Sequence, residues 1–399
     1  MEEQNMKFDF DELVDRRRDS LKWDVKEGEL PMWVADMDFR TAPAVVQAIK
    51  ARAETGVYGY AGVPDEWYEA VCGWWERRHG WKAEKDWLCF ATGVVPAISS
   101  AVKRVTNVGD RVLLMTPVYD IFFHSVENAG RVVLESPLVR TADGYRIDFA
   151  DLEEKLARPL TTMMILCNPH NPVGRIWTKE ELFEIGRLCE KYGVTVLSDE
   201  IHCDLTDPGT DYVPYASVSP ECAGRAIVCL SASKAFNIAG LQSAAVAIPD
   251  LVLRNKIVRG LNSDEVAEPN CFAVAGTVAA FTSGGEWLDA LRAYLSENKK
   301  FAAEFLAREL PEIGLIPPEA TYLLWLDCGK VTSDSEDLCS FLREKTGLYL
   351  NPGDQYRGEG RSFVRLNAAC PKSLLKEGLE RFARGIRAYK EEGAGRISE

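Results

Sequence analysis

The chain has 399 residues, of which 46% are apolar and 27% charged, a composition ordinary for a globular protein with more than one hydrophobic core. Its 47 basic and 61 acidic residues leave a net charge of −14, which argues against nucleic acid or an anionic membrane as a partner. The charged N-terminus lacks the apolar segment of a secretory signal, and no run reaches the roughly 18 consecutive apolar residues of a membrane span. We therefore expect a cytoplasmic protein. Eleven cysteines without a C-x-x-C pair, and only four histidines, predict reduced thiols and no metal site.

An apolar island, PMWVADMDF at residues 31–39, interrupts the polar N-terminal stretch. It is either an extended segment that lines a cleft or a plain strand packed on the body of the protein. A helix predicted over 44–54 follows, and then residues 57–64, VYGYAGVP, whose glycines and proline predict an irregular loop that carries two tyrosines. The next predicted helix, 67–79, has tryptophans along one side, which favours a core face over a ligand-binding face.

Five short apolar segments alternate with helical segments and predict the strands of one sheet. They are residues 88–91, 111–115, 163–167, 194–197 and 226–230. Apolar strands that alternate with helices indicate an α/β fold, with a mostly parallel sheet covered by helices on both faces. Ligands bind such sheets beyond the carboxyl ends of the strands, so the residues that follow each strand are the candidates for a site.

The first strand is followed by Gly93, Val94 and Val95 at the start of a helix predicted over 97–105. Glycine after a strand and proline in the first helical turn leave free backbone N–H groups there, which suit a phosphate.

Four polar or aromatic residues follow the next three strands. Tyr119 follows the second, where its ring either stacks on a planar ligand or packs in the core. Asn171 lies in the segment NPHNPVG, in which two Asn-Pro steps predict a non-helical turn that directs amide groups away from the strand. Asp199 and His202 follow the fourth strand, in SDEIH.

The fifth strand leads through Ser231 and Ser233 to Lys234. This lysine is either an ordinary surface residue or a buried amine. Burial disfavours the ammonium form, and the neutral amine can then attack a carbonyl and form a Schiff base. The polar residues at the other strand ends favour the second interpretation.

Beyond Pro249 the pattern is mainly helical, with strands predicted at 321–327 and 362–366. We expect a smaller α+β domain there. The predicted division is an N-terminal segment, 1–45, that packs with the small domain, a large domain, 46–285, and the small domain, 286–399. Arg365 lies within an apolar strand, where a guanidinium needs an anion. That anion is either a substrate carboxylate or an internal Asp or Glu.

Together these groups describe a site for pyridoxal 5′-phosphate acting on an amino acid. Lys234 would bind the cofactor covalently and, once released, remove the α-proton of the substrate. Asp199 would keep the pyridine nitrogen protonated. The other predicted contacts are Asn171 and His202 with the phenolic oxygen, Tyr119 with the ring face, and Gly93, Val94 and Ser231 with the phosphate.

At this point the chain resembles the fold-type I pyridoxal-phosphate enzymes of the class I/II aminotransferase superfamily. The segments NPHNPVG, SDEIHCDL and SASKAFNIAGLQ carry that resemblance. Within it, WVADMDF, YGYAGVP, ATGVVPAIS and TPVYDIFF are similar to the MalY/PatB group of carbon–sulfur β-lyases. Two positions, His202 and Gln242, differ from the general aminotransferase pattern, where tyrosine and arginine are common, and both suit the β-lyase group.

The resemblance implies a homodimer with active sites at the subunit interface, where Tyr60 would reach the phosphate bound by the neighbour. The full predicted site adds Val95 and Ser233 near the cofactor, and Asp36 with Asn171 near the substrate. Tyr119 and Tyr60 join Lys234 as predicted catalytic residues.

Three functions remain open from the sequence. The first is a lyase that eliminates a thiol from cystathionine or a related S-substituted cysteine, giving pyruvate and ammonia. The second is an aminotransferase, and the third is a non-catalytic binding or regulatory protein on the same fold. An intact set of Lys234, Asp199 and Arg365 counts against the third.

Overall fold

The computed structural model describes residues 8–17 and 19–396. Its helices are α1 (Pro43–Glu54), α2 (Asp65–His79), α3 (Val94–Val105), α4 (Ile121–Glu127), α5 (Phe149–Leu156), α6 (Lys179–Tyr192), α7 (Pro220–Gly224), α8 (Leu251–Ser263), α9 (Ala273–Ser283), α10 (Gly285–Glu309), α11 (Ser335–Thr346) and α12 (Lys372–Arg396). Its strands are β1 (Leu30–Pro31), β2 (Leu88–Ala91), β3 (Arg111–Thr116), β4 (Val132–Pro137), β5 (Val139–Thr141), β6 (Gly144–Arg146), β7 (Thr161–Cys167), β8 (Thr195–Asp199), β9 (Ala226–Leu230), β10 (Ala244–Ala247), β11 (Gly314–Leu315), β12 (Leu323–Asp327), β13 (Leu348–Tyr349), β14 (Asn351–Pro352) and β15 (Phe363–Asn367).

A seven-stranded sheet of order β2-β10-β9-β8-β7-β3-β4 forms the centre of the larger part of the chain. The strands from β9 to β4 are parallel to their neighbours, whereas β10 runs antiparallel to both β2 and β9. The predicted mostly parallel sheet is therefore confirmed. Because β10 is antiparallel to both neighbours, the carboxyl end of β2 lies on the same edge of the sheet as that of β9.

The two faces of this sheet bury separate apolar layers, because successive residues of a strand point to opposite faces. In β9, Val228 and Leu230 pack into one layer, while Ile227 and Cys229 pack into the other. Helices α5, α6 and α9 contribute to the first layer, and α3, α4 and α8 contribute to the second. The sheet is thus covered on both faces, as the α/β prediction required.

An antiparallel sheet of order β11-β12-β15-β14 forms the smaller α+β part. It shares an apolar core with α11, α12 and the second half of α10. The N-terminal segment contacts both parts, since β1 pairs with β13 and Met32 enters the small core, while Phe39 enters the core of the large sheet. Helix α10 likewise contributes to both cores. The domain boundaries stay a prediction.

Local sequence signals account for several element boundaries. Helix α6 begins with a capping box in which the Thr178 hydroxyl accepts the N–H of Glu181 and the Glu181 carboxylate accepts the N–H of Thr178. Helix α3 starts at Val94, three residues before the predicted start, because proline is tolerated in the first turn of a helix. Strands β4 and β10 were not predicted, and the three alanines among the four residues of β10 have little strand preference.

The described helices include none that combines the length and the hydropathy needed to cross a bilayer. All eleven cysteines are free, and most of them are buried. The reduced state of these thiols stays a prediction.

Candidate active site

Strand β9 delivers Lys234 to the carboxyl edge of the large sheet. All five residues of the strand are buried, and the turn 231–233 leads from it to the lysine. The Nζ atom of Lys234 donates a hydrogen bond to the Ala35 carbonyl at 2.6 Å. Burial lowers the pKa of this amine to about 8, and the negative charge of Asp36 opposes part of the shift. The amine therefore gives up its proton far more readily than an exposed lysine, as attack on a carbonyl requires.

Asp199 ends strand β8, level with Cys167 of β7 and Cys229 of β9. Its carboxylate accepts the N–H of Ile201 at 3.1 Å. Burial raises the pKa of this carboxyl to about 7, against the opposing effect of that hydrogen bond. An ionised carboxylate in so dry a position needs a cationic N–H partner, and a protonated ring nitrogen supplies one.

Three further predicted side chains reach the same place. The Nδ1 atom of His202 is buried and has no hydrogen-bond partner among the described residues, and burial lowers the pKa of the ring to about 3. His202 is therefore neutral at neutral pH. The Oδ1 atom of Asn171 accepts from Arg365 at 3.2 Å, and the Tyr119 ring meets Phe122 at right angles with 5.6 Å between centroids.

The N-terminus of α3 contributes backbone groups. Gly93 is the residue before the helix, and the first turn holds Val94, Val95 and Pro96. The first N–H groups of a helix have no partner within it, and the helix dipole adds a partial positive charge at that end. A Cβ on Gly93 would lie 3.2 Å from the Pro96 ring, so the glycine also keeps this corner open.

These groups line one cavity of about 180 Å³ at the carboxyl ends of the parallel strands. The predicted residues in its lining are Gly93, Val94, Val95, Tyr119, Asn171, Asp199, His202, Ser233 and Lys234. Unpredicted residues complete it, namely Ala35, Pro96, Cys167, Ile201 and Ala239. Because Ala35 belongs to the apolar island at 31–39, the cleft-lining interpretation of that island is confirmed.

Four predicted residues lie outside this lining: Ser231, Asp36, Tyr60 and Arg365. The Ser231 Oγ atom lies 2.7 Å from the Ser243 carbonyl and 2.8 Å from the hydroxyl of Ser233, which lines the cavity, so Ser231 braces the turn before Lys234. The Asp36 carboxylate forms an ion pair within the N-terminal segment. Tyr60 is fully exposed in the loop before α2.

Arg365 projects from β15 and is 3% exposed. It donates to Asn171 and, at 2.9 Å, to the Trp33 carbonyl, and its guanidinium lies over the Tyr356 ring. Its Nε atom is buried without a hydrogen-bond partner, and Arg365 forms no ion pair with any Asp or Glu of the described residues. The alternative of an internal ion pair is therefore unsupported, and the guanidinium remains available to an external anion.

Comparison with known proteins places the chain in a family. The aminotransferase class I and II family matches residues 30–382. The chain belongs to this family. Cystathionine β-lyase PatB of Bacillus subtilis is 44% identical over 369 residues, which are 91% of this chain and 95% of PatB. Protein MalY of Escherichia coli is 35% identical over 392 residues, 96% of this chain and 100% of MalY. A pyridoxal-phosphate-bound protein of Clostridium difficile, provisionally assigned as an aminotransferase, has a solved structure with a TM-score of 0.92 and 38% identity, covering 95% of this chain and 100% of that one.

The predicted similarity to the PatB and MalY group is thus confirmed. Sequence reasoning missed the asparagines that hold residues 33–39 over the cavity. Asn237 donates to the carbonyls of Met37 and Phe39, and Asn367 donates to those of Val34 and Asp36. The sequence does show an asparagine close to each cation of the site. Asn237 comes three residues after Lys234, and Asn367 comes two residues after Arg365.

Proposed function

We propose that this protein is a pyridoxal-phosphate-dependent carbon–sulfur β-lyase. Its substrate is cystathionine or another S-substituted cysteine, and its products are a thiol, pyruvate and ammonia. The observation that carries the proposal is the pair formed by Lys234 and Asp199 in one cavity, an amine with a pKa of about 8 beside a buried carboxyl. PatB, which is 44% identical to this chain over 369 residues, is a cystathionine β-lyase, which supports elimination as the reaction type.

The residues of the cavity fit pyridoxal phosphate. When bound, the cofactor supplies an aldehyde for the lysine and a ring that withdraws electrons from the α-carbon of the substrate. Lys234 would hold the aldehyde, Asp199 the ring nitrogen, and the first N–H groups of α3 the phosphate. The unpartnered Nδ1 of His202 is a donor or acceptor still to be satisfied, and the phenolic oxygen would satisfy it.

The protein's own groups divide the work of elimination. Arg365 binds the α-carboxylate and so fixes which bonds of the α-carbon face the amine. Lys234 takes the α-proton, and the electrons of that C–H bond form a double bond between the α- and β-carbons. The sulfur leaves with the electrons of its bond to the β-carbon and takes up a proton to become the thiol. Water then releases ammonia and pyruvate. Asp199 acts throughout as the fixed negative charge that keeps the ring nitrogen protonated.

Arg365→Ala should lower kcat/KM for amino-acid substrates by roughly ten- to a hundredfold, because a charged hydrogen-bonded pair contributes about 1.5 to 3 kcal/mol. Steady-state kinetics measure the loss, and the cofactor absorbance should be retained. Arg361→Ala is the matched control, since this arginine is exposed and lies four residues earlier in the same segment. Loss of cofactor or of folding in Arg365→Ala would return the residue to a structural role.

The reaction type is tested with S-substituted cysteines in the absence of any keto acid. A lyase should form thiol, pyruvate and ammonia in equal amounts over many turnovers. An aminotransferase should stop after about one turnover per site, because its cofactor is left in the amino form until a keto acid restores it. Turnover that requires 2-oxoglutarate and releases no thiol would show that the protein is an aminotransferase and not a lyase. A protein that neither absorbs as a bound cofactor nor turns over would favour the non-catalytic role.

We infer that the protein acts as a homodimer in the cytoplasm. The loop 57–64 exposes Val57, Tyr58 and Tyr60 together, and beside it a groove between α1 and α9 is lined by small and apolar side chains. Exposed aromatic clusters of this kind are typical of interfaces. The proposed role of Tyr60 is to donate to the phosphate held by the partner subunit.

A mixing experiment tests the shared site. Lys234→Ala and Tyr60→Ala chains, each inactive or strongly impaired alone, should regain activity when they are unfolded and refolded together. A hybrid dimer then holds one site with both residues intact, so about a quarter of all sites should work. Light scattering of the wild type reports the dimer itself. Absence of recovery from verified hybrid dimers would contradict the role of Tyr60.

A further inference from the structure

Residues 33–39, here called the N-terminal strap, are held almost entirely by side chains. These residues belong to no strand or helix, yet each carbonyl from Trp33 to Met37 accepts a hydrogen bond from a side chain distant in the sequence. The donors are Asn351 and Arg365 for Trp33, Asn367 for Val34, Lys234 for Ala35, Asn367 and Lys22 for Asp36, and Asn237 and Arg16 for Met37. These hydrogen bonds fix the strap in place, and one of the donors is the amine of Lys234.

The acidic side chains of the strap differ in how many partners they have. Asp38 is buried and accepts from Arg16, from Lys22 at 2.6 Å and from the Trp23 ring N–H at 2.8 Å. Among the described residues Asp36 has one ion-pair partner, Arg16 at 2.6 Å, and its side chain retains about a third of its exposure. Arg16 thus orients Asp36 without surrounding it. The negative charge of Asp36 still favours the ammonium form of Lys234.

Charged and titratable groups on four parts of the chain interact electrostatically with the Lys234 amine. The strap contributes Asp36, β8 contributes Asp199, β15 contributes Arg365, and the segment after β8 contributes neutral His202. The two carboxylates favour the ammonium form and Arg365 opposes it. Once a cofactor ring nitrogen pairs with Asp199, Asp36 is the remaining carboxylate among these groups whose charge favours the ammonium form of Lys234.

We propose that Ala35 and Asp36 are positioning residues for Lys234, the Ala35 carbonyl by directing its N–H and the Asp36 carboxylate by balancing its positive charge. This inference rests on the proposed function, in which Lys234 carries the α-proton. It gives Asp36 a role toward the amine, in place of the substrate contact predicted from the sequence. The strap then has the same acceptor ready each time the lysine is released from the cofactor.

The test measures the pKa of Lys234 in the cofactor-free protein, from the pH dependence of acetylation followed by peptide mapping. Only the neutral amine is acetylated. Removal of the Asp36 charge should lower the pKa, so Asp36→Asn should shift it down by roughly 0.5 to 1 unit and raise labelling of Lys234 about three- to tenfold at pH values below the midpoint. Asp36→Glu, which keeps the charge, should restore the wild-type value.

Glu12→Gln is the matched control. It removes one negative charge from the same N-terminal segment, but Glu12 pairs at the surface with Arg40. Its Lys234 pKa should equal that of the wild type. An unchanged pKa in Asp36→Asn, or an equal shift in Glu12→Gln, would overturn the role of Asp36.

Hydrogen exchange tests the Ala35 contact separately and needs no Asp36 variant. Lys234→Met leaves the Ala35 carbonyl without its donor, so the strap amides of Met37 and Asp38 should exchange roughly fivefold faster, the equivalent of one lost hydrogen bond. These amides are bonded to Asn237 and to the Ala369 carbonyl in the wild type. Unchanged exchange would overturn the contact. Both measurements omit cofactor and substrate, so their failure is distinct from failure of the β-lyase assignment.

Discussion

Lys234→Ala should lower turnover of S-substituted cysteines by about a thousandfold or more, a loss typical of removing the residue that both attacks and transfers the proton. Lys234 is the lysine of the cavity, and burial already lowers the pKa of its amine to about 8. Thiol release measures the rate. Reduction of the wild-type holoenzyme with borohydride, followed by peptide mapping, should place the cofactor on Lys234.

Lys299→Met provides the control for burial alone. Lys299 is buried, and burial lowers the pKa of its amine as it does for Lys234. Lys299, however, pairs with Asp207 and donates to the Thr321 carbonyl, away from the cavity. Its replacement should reduce stability and leave cofactor attachment intact. A cofactor mapped to Lys299, or to any lysine other than Lys234, would mean that the wrong amine has been assigned.

The polar residues of this site could be predicted from the sequence for a physical reason. In a parallel sheet the residue after each strand reaches the same edge, so strand order need not be known to bring Tyr119, Asn171, Asp199 and Lys234 together. The apolar strands could be predicted because each is buried on both faces and therefore appears in the sequence as a continuous apolar run. Gly93, which follows β2, reaches the same edge only because the unpredicted β10 is antiparallel to both neighbours and leaves β2 parallel to β9.

The contacts that the sequence did not predict are those made by backbone carbonyls. Ala35 contacts Lys234 across 199 residues, and an alanine gives no sign that its carbonyl accepts a hydrogen bond from a lysine amine. Ser231 is outside the cavity lining, and its hydroxyl donates to the carbonyl of Ser243, just before β10. Residue type predicts which groups are able to react, whereas tertiary packing decides which of them are already partnered.

Asp199→Asn should bind the cofactor and yet exchange the substrate α-proton with deuterated solvent about a hundred- to a thousandfold more slowly, since a fixed charge at the ring nitrogen is lost. An amide does not hold that nitrogen protonated, so the ring withdraws electrons less strongly. Exchange is measured by mass spectrometry of recovered substrate, which isolates proton removal from the later steps. Wild-type exchange in the variant would remove Asp199 from this role.

The same substitution should stabilise the cofactor-free protein at alkaline pH. Burial raises the folded-state pKa of Asp199 from 3.8 to about 7. Stability from a group with a raised pKa is complete below its unfolded value and is lost as the pH rises through the folded value. Asparagine cannot ionise, so the variant should match the wild type near pH 4 and exceed its free energy of unfolding by about 1 to 4 kcal/mol near pH 8.

Glu200→Gln separates this effect from burial in general. Burial raises the pKa of Glu200 to about 7 as well, but its carboxylate accepts from Ser198, from the Tyr215 N–H and from the Tyr212 hydroxyl. An amide group would place N–H donors against those donors, so this variant should be less stable than the wild type at every pH. Denaturant unfolding at several pH values measures both variants. Opposite signs for two adjacent buried carboxyls would mark Asp199 as the one whose partner is absent from the chain itself, whereas a destabilised Asp199→Asn would make it structural.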